Sequence, residues 1–224
     1  MKNSSFKVIV LNIYEKDEDS ALVKTMDGKS IKFFHVKGFF KLENKNRKRI
    51  SIGSLIEAEY LDQYSKRDFY FLKRANLIKE IDLKVAINQQ FLAKLLYLLQ
   101  KIEQTNQALY QSYVDFLMNW KKDQIAWFMS FLYKKILDAN NKIMNFKACA
   151  ICGSNQKLYA FNWEEGGFFC FDHHLKNHRS NQTNLSFLKS LYYLAQDLNK
   201  YYQNTSAQAN KEIFDMLEVF DQTY

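Results

Sequence analysis

Short apolar and aromatic runs in the first 80 residues predict β-strands. Residues 6–14 are rich in β-branched and aromatic side chains, and residues 21–26 alternate between two faces. Between two such runs, Asp27-Gly28 predicts a tight hairpin turn whose two central residues both have positive φ. The pattern predicts strands over 6–14, 20–26, 29–36, 54–62 and 68–79, although 55–60 is also compatible with a helical turn. Five short strands without a long helix favour a small closed barrel of the OB type.

After residue 80 the apolar period changes to three and four, which is typical of amphipathic helices. The pattern predicts helices over 87–102, 109–120, 125–136, 185–202 and around 213–220, with a polar loop over 205–210. Residues 146–178 lose this period and gain Gly, Cys and His. We therefore predict an α+β chain, with an N-terminal five-stranded OB-type β-barrel over 1–80. An α-helical domain over 81–224 follows, with an inserted zinc-binding segment over 146–178.

The zinc prediction depends on the spacing of the three cysteines, which all lie within residues 149–170. The pattern is C-x2-C, seventeen residues, then C-x2-H, with Gly153 after the first pair and Gly166-Gly167 before the second. Thiolates and an imidazole in a tetrahedral arrangement favour zinc. We predict one structural Zn²⁺ per chain, held by Cys149, Cys152, Cys170 and His173. His174 stays open as the fourth ligand, and three buried cysteines without metal are the alternative.

The same sequence lacks the common enzyme motifs. It has no H-E-x-x-H, no H-x-E paired with P-C-x-x-C, no G-x-x-x-x-G-K-[ST] and no G-x-G-x-x-G. A Cys170–His174 nucleophile pair is conceivable, but the zinc site makes better use of that thiol. We therefore predict no catalytic activity. The chain also has no apolar run of 18 residues, and its first residues lack the apolar core of a signal peptide, so we expect a cytoplasmic protein with reduced thiols.

Positive charge is concentrated at the front of the chain, whose formal net charge is +8. Residues 1–80 hold 17 Lys and Arg against 11 Asp and Glu, and segment 41–49 holds five cations and one acid. A groove for single-stranded nucleic acid needs cations for phosphates and aromatic faces for bases. We predict such contacts from Lys37, Lys41, Lys45, Arg47, Lys48, Arg49, Arg67, Lys73 and Arg74, with Tyr70 stacking on a base. A merely solvated loop is the alternative.

The order of these parts resembles the RecO family of bacterial recombination mediators. Tyr14, Glu15 and Asp17, then Asp27-Gly28 and Lys37-Gly38, are similar to the hallmarks of the family's first strands. Residues 68–74 resemble its last barrel strand, and the zinc segment with Gly166, Gly167 and Cys170 is the most specific match. His173 stands where the family usually has a fourth Cys. The resemblance covers residues 5–178.

The resemblance implies a non-catalytic DNA-repair protein associated with the nucleoid and monomeric when alone. Such proteins bind single- and double-stranded DNA, anneal complementary strands, contact the single-strand DNA-binding protein and a RecR-type partner, and help load recombinase on coated strands. Three other classes stay open: an RNA-binding zinc-ribbon protein, a metal-dependent enzyme on nucleic acid, and a protein-interaction scaffold without a nucleic-acid role.

Overall fold

The protein folds as a β-barrel followed by helices and a small second sheet. The computed structural model describes residues 4–61, 69–81, 89–119, 121–162, 166–177 and 185–223. Their contacts define two compact units, Met1–Lys122 and Asp123–Tyr224. The predicted α+β class, with an OB-type barrel in front of a helical part, is confirmed. The predicted division into 1–80 and 81–224 follows secondary structure and stays a prediction.

Five strands close the barrel in the first unit. They are β1 (Ser4–Glu15), β2 (Ala21–Met26), β3 (Ile31–Val36), β4 (Leu55–Tyr60) and β5 (Phe69–Lys79). The order around the barrel is β1-β2-β3-β5-β4, and β4 pairs with β1 to close it. All pairs are antiparallel except β3 with β5, which is the connectivity of an OB-type barrel. Residues 55–60 thus form a strand, not a helical turn.

Alternation along the strands sends one set of side chains into the barrel. Val8 and Val10 of β1, Val23 of β2, and Phe34 and Val36 of β3 are almost fully buried there. The residues between them on β2 and β3 therefore lie on the outer side of the barrel wall.

The β2–β3 hairpin is present, but the predicted turn type is wrong. No positive φ occurs at Asp27 or Gly28 in the described backbone. The loop instead runs from Asp27 to Ser30, and the Asp27 carboxylate accepts hydrogen bonds from the N–H groups of Lys29 and Ser30, both at 2.8 Å. The small Gly28 lets the side chain of Gln107 lie close to this turn, because an added Cβ would meet its amide group.

Two helices pack onto the barrel within the first unit, α1 (Gln89–Gln100) and α2 (Gln107–Asn119). Polar side chains also connect the loop between α1 and α2 to the barrel. Lys24 of β2 donates to the carbonyl of Ile102 at 2.6 Å, and Thr105 donates to the carbonyl of Asp27 at 2.9 Å. Both acceptors are backbone groups, so the sequence pattern could not reveal these contacts.

The second unit is built around α3 (Ile125–Ala139), most of which is buried. Its C-terminal neighbours are α5 (Leu185–Leu194), α6 (Leu198–Asn204) and α7 (Ala207–Thr223). Tyr133 of α3 donates to the Asp221 carboxylate of α7 at 2.8 Å, and Lys142 donates to the same carboxylate at 2.7 Å. These bonds connect α7 to α3.

Two expectations for the last 45 residues are wrong. The helix predicted over 185–202 is divided, because Asp197 is extended and caps α6 by accepting from the N–H of Lys200. The polar loop predicted over 205–210 ends early, since α7 begins at Ala207, where Ser206 accepts from the N–H of Ala209.

The segment predicted as irregular contains a three-stranded sheet and a short helix. Its strands are β6 (Asn145–Cys149), β7 (Leu158–Asn162) and β8 (Gly167–Cys170), and α4 (Phe171–Asn177) follows directly. The order is β6-β8-β7, with β6 parallel to β8 and β7 antiparallel to β8. Gly167 is needed where the strands come close, because an added Cβ would lie 3.0 Å from the Cβ of Ala150.

Candidate metal centre and nucleic-acid interface

Three cysteines and one histidine form a compact cluster at one end of the small sheet. Their ligand atoms all lie within 4.8 Å of one another: Cys149, Cys152, Cys170 and His173. The Nδ1 atom of His173 is 3.2 Å from Sγ of Cys170 and 3.6 Å from Sγ of Cys149. The Sγ atoms of Cys152 and Cys170 are 3.9 Å apart. For comparison, the edge of a tetrahedron with bonds of about 2.3 Å is about 3.8 Å.

The local fold explains why four distant positions meet. Cys149 ends β6 and Cys170 ends β8, and these strands run parallel, so their ends lie side by side. After Cys149 the chain turns back through Gly153, whose φ is +71° and whose N–H donates to the carbonyl of Cys149 at 2.9 Å. This turn carries Cys152. His173 lies in α4, which begins one residue after Cys170.

The donor set fits a soft metal ion. Although burial raises the pKa of the Cys149 thiol, the backbone N–H groups of Cys152, Cys170 and Ile151 outweigh it and lower that pKa well below its usual value. A lowered pKa favours the thiolate, which is the form that binds metal. Cys149 and Cys170 are buried and Cys152 is exposed. These four residues could therefore bind a metal such as zinc.

The structure also separates the two neighbouring histidines. His173 belongs to the cluster, whereas the ring of His174 packs against Tyr159 with 4.7 Å between centroids. Four protein ligands match the coordination number of a tetrahedral metal ion. Phe169 and Leu158 pack against the cysteines and form an apolar surround.

The second candidate site is the connection between β3 and β4, which we call the cationic loop (residues 37–54). Phe39 and Ile50 anchor it in the barrel core. Asn44 donates to the carbonyls of Lys37 and Gly38 at 3.0 and 2.8 Å, and Asn46 accepts from the N–H of Ala75 at 2.9 Å. Asn44 thus stabilises the loop internally, and Asn46 holds it against β5 of the barrel.

The predicted contacts on this loop fall into two groups. Arg49 donates to the carbonyl of Ala75 at 3.1 Å, and Arg47 donates to the carbonyl of Phe40 at 2.9 Å. These arginines therefore have a structural task as well. The lysines of the loop project into solvent, and Lys41 forms an exposed ion pair with Asp19 at 3.0 Å. The exposed lysines are Lys37, Lys41, Lys45 and Lys48.

The remaining predicted contacts lie on or near β5. Lys73 and Arg74 are exposed, and Arg67 lies outside the described residues. Tyr70 faces the barrel core, where its ring centroid is 4.8 Å from Tyr60 and 5.4 Å from Phe34. Its neighbours Phe69 and Phe71 lie on the opposite side of the strand. Strand alternation was visible in the sequence, but it did not show which of the two sets faces outward.

A comparison with protein families identifies the chain. The family model described as "Recombination protein O C terminal" matches residues 82–224. The chain belongs to the RecO family. Membership places it among the recombinational-repair mediators, which are generally non-catalytic. The matched region includes the Cys3His cluster, so the zinc segment lies within the RecO C-terminal part.

Other comparisons add little to the RecO assignment. Two structures of Entamoeba histolytica asparaginyl-tRNA synthetase, one in complex with asparaginyl-adenylate, are similar at 15% sequence identity. Their TM-scores are 0.29 for the complex and 0.28 for the other, over 64% of this chain and 34% of the synthetase chains. This RecO chain therefore matches about a third of their length. A search of curated proteins finds no match. No helix in the described ranges is long and apolar enough to cross a bilayer.

Proposed function

We propose that this RecO-family protein is a non-catalytic, DNA-binding mediator of recombinational repair. It binds single- and double-stranded DNA, anneals complementary strands and helps load recombinase on strands coated by single-strand DNA-binding protein, together with a RecR-type partner. It acts in the cytoplasm at the nucleoid, and is monomeric when alone. The observation that carries the proposal is the cationic loop, which projects four exposed lysines from an OB-type barrel.

In this mechanism no covalent bond is made or broken. Lys37, Lys41, Lys45 and Lys48 neutralise backbone phosphates, which releases counterions and does not depend on base sequence. Asn44 stabilises the loop internally and Asn46 binds it to β5, so the backbone that carries these charges is held next to the barrel. Neutralising the phosphates of two strands lowers their repulsion, so the same surface supports annealing.

Zinc has a structural task in this proposal. The ion would be held by Cys149, Cys152, Cys170 and His173, and would link the ends of β6 and β8 to α4. The sheet it closes has strands of four and five residues, too few to build a substantial core of its own.

Fluorescence anisotropy with a labelled single-stranded DNA at several salt concentrations tests the proposal, together with an annealing assay. We expect affinity to fall linearly in a log–log plot against salt. The variant Lys45→Glu/Lys48→Glu should bind less tightly with a shallower slope. The matched control is Lys200→Glu/Lys211→Glu, which has the same charge change at exposed positions in the second unit.

The outcomes separate the function classes. DNA bound at least as well as an RNA of equal length, with faster annealing, supports the mediator. A marked preference for RNA would replace it with an RNA-binding function. If the protein binds no nucleic acid at low salt, the interaction scaffold takes its place.

A further inference from the structure

The three cysteines of the metal cluster differ in their access to solvent. All of them lie in the described part of the chain, where Cys149 is 1% exposed, Cys170 is 6% exposed and only Cys152 is open to solvent. The residues on either side of Cys152 project outward too, since Ile151 is 50% exposed and Gly153 is also exposed. Oxidation of a cysteine depends on access, so a dissolved oxidant reaches Sγ of Cys152 before the other two sulfurs.

The turn that holds Cys152 has space to move, whereas Cys170 is fixed. A Cβ added at Gly153 would meet no described atom within 4 Å, so no other described segment packs against this side of the turn. Cys170 instead ends β8 and packs in the apolar cluster with Phe169 and Leu158. Movement of the exposed turn alone therefore changes the distance between Sγ of Cys152 and Sγ of Cys170.

Two sulfur atoms of the cluster can form a disulfide after a small shift. Sγ of Cys152 is 3.9 Å from Sγ of Cys170, and a bond of about 2.05 Å requires the two atoms to approach by about 2 Å. Cys149 is the poorer partner, because three backbone N–H groups, those of residues 151, 152 and 170, donate to its sulfur. Hydrogen bonds that stabilise a thiolate also lower its nucleophilicity. We therefore expect the exposed thiol to pair with Cys170.

We propose that the metal cluster is a site of reversible oxidation, at which a peroxide joins Cys152 to Cys170 in a disulfide bond and the metal ion leaves. The inference rests on the proposed zinc site and is independent of DNA binding. After oxidation, Cys149 and His173 are the two ligands that remain. A structural zinc ion needs four ligands, so two do not retain it.

The oxidation takes two steps and removes two electrons from the two sulfurs. Sγ of Cys152 attacks the peroxide, so that an S–O bond forms, the O–O bond breaks and hydroxide leaves. Sγ of Cys170 then attacks the resulting sulfenic acid, so that the S–S bond forms, the S–O bond breaks and a second hydroxide leaves. With hydrogen peroxide, two thiolates and two protons give one disulfide and two water molecules in the form of these hydroxides. A low-molecular-weight thiol reverses the reaction by thiol–disulfide exchange.

Loss of the metal releases one helix from the small sheet. His173 is the ligand that α4 supplies, whereas Cys149 and Cys170 end β6 and β8. Without the ion, α4 keeps only its packing contacts with β7 and β8. The oxidised protein should therefore melt at a lower temperature than the zinc-bound protein.

Peroxide titration of the unaltered protein is the first test. Protein purified under reducing conditions is treated with hydrogen peroxide, zinc release is followed with a chromogenic chelator, and free thiols are counted. We expect release of one zinc ion per chain while the free thiols fall from three to one, with dithiothreitol and added zinc restoring both. Retention of zinc and of all three thiols would overturn the proposal. A reduced protein that binds no zinc would remove the zinc site itself, and the proposal with it.

Mass spectrometry identifies which thiols react. The tryptic peptide 148–157 contains Cys149 and Cys152, and the peptide 158–176 contains Cys170. After alkylation of free thiols, we expect the two peptides joined by a disulfide, with fragmentation placing the alkyl group on Cys149. A disulfide within the peptide 148–157, or three cysteines oxidised to sulfonic acid, would contradict the proposed pair.

Two matched histidine substitutions provide the third test. Cys152→His and Cys149→His each leave two Cys and two His ligands, which is a common zinc-binding set. Cys152→His lacks the exposed thiol and should keep its zinc at a peroxide dose that empties the unaltered protein. Cys149→His retains both reacting thiols and should lose its zinc. Equal zinc loss from the two variants would contradict the proposal, and if either variant fails to bind zinc beforehand, the disulfide in the unaltered protein decides.

Discussion

The hydroxyl of Tyr113 donates a 3.0 Å hydrogen bond to the carbonyl of Gly53, and both residues are buried. Tyr113 lies on α2 and Gly53 lies two residues before β4, so this bond connects the helical pair to the barrel wall. Burial raises the pKa of the Tyr113 hydroxyl far above its usual value, which keeps the donor protonated at every working pH. Gly53 has φ of +85°, and an added Cβ would lie 2.9 Å from the Tyr113 oxygen.

Substitution at either end of this bond should destabilise the first unit. Tyr113→Phe leaves the Gly53 carbonyl without its partner, at a cost of about 1–3 kcal/mol. Gly53→Ala forces a residue with a Cβ into a left-handed conformation, which costs about 1–2 kcal/mol. It also brings that Cβ against the Tyr113 hydroxyl. Urea unfolding followed by circular dichroism measures both. Gly153→Ala is a useful comparison, because its φ is +71° but a Cβ there meets no atom within 4 Å. Equal losses for the two glycine variants would show that the contact with Tyr113 has no effect.

Replacing His173 should remove the metal, whereas replacing His174 should not. We expect His173→Ala to lower bound zinc from one equivalent to well below one, measured by elemental analysis after dialysis. His174→Ala should retain a full equivalent, since that ring packs on Tyr159. A chelator should lower the melting temperature of the unaltered protein and have little further effect on His173→Ala. Equal zinc content in both variants would contradict the assignment.

Lys48 and Arg49 should respond differently to substitution, although they are neighbours in the cationic loop. Lys48→Ala should weaken DNA binding without changing the melting temperature, because this side chain is exposed. Arg49→Ala should lower the melting temperature as well, because the guanidinium donates to the carbonyl of Ala75 on β5. Arg49→Gln gives a second measure, since it removes the charge and keeps a hydrogen-bond donor. If Arg49→Ala melts like the parent protein, the bond to Ala75 does not stabilise the loop.

The Asp27 carboxyl should make folding stability sensitive to acid. Burial raises its pKa, but the N–H of Ser30, the Lys32 ammonium and the N–H of Lys29 outweigh it, and the net pKa lies below the usual 3.8. A depressed folded pKa contributes stability that is present above the unfolded pKa and is lost as pH falls through the folded value. The free energy of unfolding should therefore decrease below about pH 4.

Urea titrations at several pH values test this dependence. Asp27→Asn should flatten the acid limb, whereas Glu18→Gln, an equal change of charge at an exposed position, should keep it. An unchanged acid limb in Asp27→Asn would show that other carboxyl groups cause the acid sensitivity.

Much of the barrel was predictable because its strands follow simple rules. Each of the five expected strands is present, and every strand end lies within two residues of its predicted position. The turn at Asp27 was predicted wrongly because its conformation depends on the carboxylate accepting two N–H groups and on the approach of Gln107. Gln107 lies 79 residues after Gly28 in the sequence, so no local pattern reports this contact.

The candidate sites show the same division between local and distant information. Spacing alone identified the four residues of the cluster, Cys149, Cys152, Cys170 and His173. The C-x2-C pair and the C-x2-H pair are each local in sequence, so only the contact between the two pairs depends on the fold. The role of Tyr70 depended on which side of β5 faces the barrel core. The alternating pattern is the same whether Tyr70 or its neighbours Phe69 and Phe71 point inward, so the sequence did not decide between them. Arg49 also donates to the backbone carbonyl of Ala75, and no sequence pattern reveals a contact with a backbone group.

The docking of α1 and α2 on the barrel has a practical consequence for protein engineering. A fragment cut at residue 80 would leave Lys24 without the carbonyl of Ile102 and Gly53 without Tyr113. It would also expose apolar barrel surface that the helices cover, and we expect such a fragment to aggregate. Chimaeras between family members should therefore exchange residues 1–122 as one module, although the matched family region begins at residue 82.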